Sequence, residues 1–133
     1  MLGELIGENE GKVSSQRVID VKGATMETSV MASGRLRGVQ VTETLTYVAN
    51  TSSKGVLHGA GSGIITTQDG DLATYTGEGI GRYDASGVLN WRGAIFFETS
   101  SKGKLGFLND LVGVFEAQVD GQGNFTDKIW EWK

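Results

Sequence analysis

The chain has 133 residues with 21 Gly, no Pro and no Cys, and 12 Lys and Arg against 16 Asp and Glu give a net charge of −4. Glycine this frequent but without a three-residue period excludes collagen, and the lack of Cys excludes disulfides, thiolate catalysis and cysteine zinc knuckles. An acidic balance with no Lys/Arg cluster removes the main driving term for nucleic-acid binding, so no nucleic-acid partner is expected.

Hydrophobic residues make up 38% of the chain and recur along its whole length, which supports one packed domain over residues 1–133. No apolar run approaches the roughly 18 residues of a membrane helix. The start, Met1-Leu2-Gly3-Glu4-Leu5-Ile6-Gly7-Glu8, lacks the basic end and apolar stretch of a signal peptide. The expectation is a cytoplasmic protein without a membrane partner.

Period-two alternation between turn signals predicts eight strands, at roughly 5–20, 25–36, 39–49, 56–67, 72–83, 88–99, 112–119 and 125–132. The breaks between them carry Gly, mostly with Asp, Asn or Ser, residues that tolerate left-handed turn geometry. Only Lys104 to Leu111 reads as a short helix, weakened by Gly106. Eight antiparallel strands with no Pro to blunt an edge are best closed on themselves. Frequent glycine within strands suits the coiling that closure demands. The predicted fold is therefore all-β, an eight-stranded antiparallel up-and-down barrel, with a sandwich as the alternative.

Two turns set the register. Asp69-Gly70, read as a two-residue type I′ turn, places Gly59, Gly61 and Gly63 opposite Ile80, Glu78 and Thr76. The two glycine rows would then lie on opposite faces. Asp84-Ala85-Ser86-Gly87, read as a type I turn with a glycine bulge, places Trp91 opposite Gly81, Gly93 opposite Gly79 and Ile95 opposite Gly77. Together these predict an interior face of His58, Ile64, Tyr75, Trp91, Ile95 and Phe97, and an exterior with Glu78 diagonal to Arg92.

Several motifs invite chemistry. The glycine runs 59–63 and 77–81 lie within strands with no helix to follow, which excludes a dinucleotide loop. A lone histidine, His58, excludes a two-histidine metal site, so no metal or cofactor is expected; it reads as a packed residue or as a ligand contact. Glu43 interrupts the apolar alternation Val39-Val41-Glu43-Leu45-Tyr47, and Glu116 does the same after Val112 and Val114. Facing a cavity, such a carboxyl would gain proton affinity and suit acid–base work; a bulge that turns it outward is the plainer reading. Trp130 and Trp132 share a face at the chain's end, for core packing where the barrel closes or for an exposed aromatic platform. No nucleophile elbow is present.

The stretch Gly59-x-Gly61-x-Gly63, Asp69-Gly70, Gly77-x-Gly79-x-Gly81-Arg82, Trp91-Arg92-Gly93-Ala94, Phe115-Glu116 and Trp130-Glu131-Trp132 resembles a group of small uncharacterised prokaryotic β-barrel proteins. In architecture these are similar to the allene oxide cyclase and dirigent barrels. The resemblance implies a closed eight-stranded barrel, a cavity for a small apolar molecule, no cofactor, and homo-oligomerisation (dimer or trimer) through an outer face. No catalytic motif of those barrels is matched, so no active site is transferred.

Three functions are consistent with this pattern. The first is binding of a small, mostly apolar ligand by Tyr47, His58, Tyr75, Trp91 and Phe97, with His58 or Glu43 orienting a polar group. The second is a cofactor-independent isomerase or cyclase acting on a flexible apolar substrate, with Glu43 or Glu116 as base and Tyr75 as proton donor. The third is a structural, self-associating module.

Overall fold

The computed structural model describes residues 2–133. Its eight strands are β1 (Leu2–Asp20), β2 (Thr25–Leu36), β3 (Val39–Thr51), β4 (Leu57–Thr66), β5 (Leu72–Tyr83), β6 (Leu89–Glu98), β7 (Val112–Val119) and β8 (Asn124–Trp132). Each pairs antiparallel with the next, and β8 returns to pair with β1, closing the barrel. A closed barrel leaves no free edge where all eight strands are paired. β1 overruns it: its pairing to β8 ends at Lys12, whereas its pairing to β2 runs on to Asp20, so the far end of this hairpin projects as a two-stranded ribbon.

Turn chemistry sets the register. Arg37 and Gly38 both take positive φ between Leu36 and Val39, a two-residue type I′ connection. The Thr67–Asp71, Asp84–Val88 and Asp120–Asn124 loops are different. In each, the first residue's N–H donates to the last residue's carbonyl, and a glycine at positive φ donates back to the first residue. These are three-residue loops with a glycine bulge. In the first of them the Asp71 N–H also donates to Thr67 Oγ1, at 3.0 Å, which favours the wider loop.

The loop after β4 thus corrects the expected register by one residue. Gly59 pairs with Gly79, Gly61 with Gly77 and Gly63 with Tyr75, so the two glycine rows face each other on the interior wall. A one-residue slip exchanges the faces of a whole strand. His58 and Ile64 accordingly lie on the exterior, both exposed, not on the interior face. The β5–β6 register is as expected, with Trp91 opposite Gly81 and Gly93 opposite Gly79.

The interior is layered. At the end bearing the β6–β7 loop, Leu36, Ile65, Phe97, Leu105 and Leu108 form an apolar cluster in which Leu105 and Leu108 are fully buried. The segment 104–111 is no helix beyond a single 3-10 turn at Gly106–Leu108; it folds into the barrel end as a plug. Arg37 holds it from outside: its guanidinium carbon lies 4.9 Å from the Phe107 ring centre, while its nitrogens reach Glu4 at 2.8 Å and Glu131 at 2.7 Å. At the opposite end Val30, Leu89, Trp91 and Phe125 form a second apolar cluster. Trp130 and Trp132 do join β8 to β1, opposite Leu5 and Leu2, but they point outward; Trp132 is exposed rather than core.

Candidate functional site

Between the two apolar clusters lies a polar layer. The same alternation that buries Val41 and half-buries Leu45 sends Glu43 inward, and no bulge interrupts the β2–β3 or β3–β4 pairing to turn it out. Asp127 on β8 arrives by the same logic between Phe125 and Ile129, and Asn9 of β1 pairs with it directly. Glu43, Asp127 and Asn9 are each at most 8% exposed. The Tyr75 hydroxyl of β5 donates to Glu43 Oε1. Asn9 Nδ2 donates to Asp127 Oδ1 at 2.9 Å.

Burial dominates the proton affinities here. It pushes the Glu43 carboxyl up, against the smaller downward pull of the Tyr75 hydrogen bond. It pushes Asp127 well above the usual carboxylate range, with the neighbouring Glu43 charge adding to the effect and Asn9 offsetting part of it. Tyr75 rises well above its ordinary value through burial and then the Glu43 charge. Two carboxyls in one buried layer do not ionise together readily, so each keeps its proton to higher pH than a free carboxyl does.

Beside this layer lies a partly open cavity of about 90 Å³, whose lining includes Glu43, Asp127, Tyr75, Tyr47 and Trp91 from the interior rows and Ser62 and Glu78 from the outer rows of β4 and β5. On the β4–β5 side the wall is bare backbone at Gly59, Gly61, Gly77 and Gly79. The glycines leave room for rings: a Cβ on Gly63 would sit 2.3 Å from the Tyr75 ring, and one on Gly81 would lie 3.1 Å from the Trp91 indole. Tyr47 meets Trp91 edge-on, with ring centres 5.3 Å apart. Burial raises the Tyr47 hydroxyl's proton affinity as well, with Thr28 and the Trp91 indole as its polar neighbours. Two buried atoms, Trp91 Nε1 and Asn9 Oδ1, make no hydrogen bond among the described residues.

Of the expected site residues, the structure brings Glu43, Tyr47, Tyr75 and Trp91 together around the cavity. Phe97 is interior but belongs to the plug cluster, where it packs on Tyr75 with ring centres 5.7 Å apart. His58 lies outside the barrel, as the β4–β5 register requires. Glu116 is also outside, on the exterior of β7, 4.0 Å from Arg92 and half exposed, so neither it nor His58 can reach an interior ligand. Arg92 is the partner of Glu116 across the β6–β7 pair; among the described residues no ion pair joins it to the diagonal Glu78. Asp127 and Asn9 escaped sequence reasoning, although Phe125-Asp127-Ile129 carries the same interrupted alternation as Val41-Glu43-Leu45. Among the described residues no group of three or more His, Cys, Asp or Glu could hold a metal, and no helix is long and apolar enough to cross a membrane.

No family model, no curated protein and no solved structure matches the chain.

Proposed function

We propose that this protein is a cytoplasmic small-molecule-binding barrel whose ligand sits in the interior cavity, its larger part apolar and one polar group turned to Glu43, Tyr75 and Asp127. One observation carries the reading: a cavity with apolar and aromatic walls and a hydrogen-bonding layer made of side chains from β1, β3, β5 and β8. A fold that needed only to be stable would gain more from apolar residues there, because each buried carboxyl costs desolvation.

Volume limits the ligand. A cavity of roughly 150 Å³ holds one benzene, so 90 Å³ admits a compact molecule of about four heavy atoms. A flexible chain or a fused ring system requires Trp91 or Tyr47 to move. The architectural resemblance to allene oxide cyclase and dirigent barrels supports an interior site but names no ligand. The test is a methyl-detected NMR titration with a set of small organic molecules. Shifts concentrated on Leu45, Ile95 and Ile129 support interior binding, whereas shifts confined to exposed methyls, or none, overturn it.

The Glu43–Tyr75 hydrogen bond favours a second reading, proton transfer on a bound small molecule. A carboxyl of raised proton affinity beside a phenol, away from bulk water, suits a general acid or base. In that case Glu43→Gln retains binding and abolishes turnover; turnover that survives the substitution rejects it.

A further inference from the structure

Trp91 brings to the cavity a buried donor that nothing in the chain accepts. The residue is 6% exposed and borders the cavity, and its Nε1–H makes no hydrogen bond among the described residues. The glycines of β4 and β5 set the ring. A Cβ on Gly59 would sit 2.8 Å from the indole Cη2, and one on Gly81 would sit 3.1 Å from Cδ2, Cε3 and Cζ3. The six-membered ring therefore lies on that bare wall, and the five-membered ring, with Nε1, turns back across the barrel toward Tyr47 of β3. The Tyr47 hydroxyl lies beside the indole, out of hydrogen-bonding geometry with it. Val30, Ala49, Leu89 and Phe125 pack in the same cluster and offer no side-chain acceptor. A buried N–H without an acceptor is costly, and a phenylalanine would fill an apolar cluster without that cost.

The two polar groups at this end of the cavity share one property, a proton to give. Indole Nε1–H can only donate, and the Tyr47 hydroxyl, whose proton burial holds, can donate as well. An oxygen with two lone pairs and no proton of its own satisfies both. A carbonyl is such an oxygen; an alcohol brings a further proton that needs an acceptor, and an ammonium has no lone pair. An anion is opposed by the net charge of −4 and by the buried carboxyls Glu43 and Asp127.

We propose that the ligand is a small neutral carbonyl compound, its oxygen accepting from Trp91 Nε1–H and the Tyr47 hydroxyl and its alkyl part resting against Leu45, Phe115 and Phe125. The proposal rests on the binding reading above and adds a second polar contact to it, at the Trp91 end of the cavity. Acetone, with four heavy atoms, is about what the cavity admits and carries only this acceptor, so it isolates the contact.

The test titrates the protein with acetone and with 2-methylpropene, the same shape with a methylene in place of the oxygen. Methyl-detected NMR follows the interior, and the nitrogen-15 spectrum follows the three indole N–H groups, Trp130 and Trp132 serving as outward-facing controls. The expected result is that both molecules shift the methyls of Leu45, Ile95 and Ile129, while acetone alone moves the Trp91 N–H downfield. Trp91→Phe should weaken acetone by about three- to tenfold relative to 2-methylpropene, as loss of one hydrogen bond implies. Two results overturn the carbonyl and leave the binding reading standing: a Trp91 N–H that responds alike to both molecules, or interior shifts with 2-methylpropene alone. Failure of both molecules to shift the interior methyls overturns both. Should the substituted protein not fold, the two-ligand comparison on the unaltered chain decides alone.

Discussion

Replacing Glu43 by Gln should change how stability depends on pH, and the sign follows from burial. In the unfolded chain Glu43 and Asp127 titrate near their ordinary values of 4.5 and 3.8. In the barrel both are raised, so the native state holds protons that the unfolded state has released. Their contribution is fully present below pH 4 and is lost as pH rises through the native values. One retained proton gives a slope of about 1.4 kcal/mol per pH unit; both together give about 2.7. Asp84 works in the opposite sense. Its carboxyl, held down to about 2 by Ser86, Asn90 and the Val88 N–H, contributes stability that is lost as pH falls. Stability should therefore peak on the acid side of neutrality. The amide in Glu43→Gln keeps an oxygen to accept the Tyr75 O–H and removes one ionisable group from the interior. Urea unfolding followed by tryptophan fluorescence from pH 4.5 to 9 should show the slope reduced by about 1.4 kcal/mol per unit where Glu43 titrates. Equal slopes in the two proteins, or stability that climbs from pH 5 to 8 in the unaltered one, would refute the buried-acid argument.

Other substitutions separate packing from exposure. Gly63→Val forces a side chain into the Tyr75 ring and should cost about 1–3 kcal/mol in urea melts, because the ring must shift to admit it. Leu108→Ala removes a fully buried side chain from the plug and should cost about 2–5 kcal/mol by the same assay, with faster amide exchange at that barrel end. His58→Ala should leave both stability, within about 0.5 kcal/mol, and interior ligand binding unchanged, because the ring is outside. Glu116→Gln should alter stability by less than about 1 kcal/mol, as expected for an exposed pair.

The strands were legible because inside and outside alternate cleanly and each turn carries its glycine. Closure was legible because eight such strands have few other ways to cover their edges. The β4–β5 register was not, for a specific reason: Asp-Gly serves two turn chemistries. A type I′ turn needs both central residues at positive φ, as Arg37 and Gly38 are; the bulged loop needs only the glycine, as at Gly70. Thr67 and Asp71 decide between them through side-chain hydrogen bonds that no dipeptide pattern reveals. His58 follows that register to the exterior, since one residue of slip moves a side chain through the wall. Glu43 was visible as a break in an apolar alternation. Asp127 was equally visible but lay beside the turn at Asp120–Asn124, where polar residues are the norm. Glu116 shows why the pattern alone is insufficient: on β7 Val112 and Val114 form the outer row, so a carboxyl in line with them faces solvent. The plug was legible as apolar residues at Leu105, Phe107, Leu108 and Leu111 but not as a lid, because its burial depends on the open barrel end that only closure creates.

The claim on which the rest depends is that closure brings Glu43, Tyr75 and Asp127 into one buried layer. A carbon-13 NMR titration of the side-chain carboxyls reads this directly. The structure predicts that both Glu43 and Asp127 titrate above the ordinary carboxylate range, and that Asp127→Asn lowers the Glu43 midpoint by removing a like charge. Midpoints near 4 for both groups, each indifferent to loss of the other, would show that the two carboxyls neither lie buried nor meet.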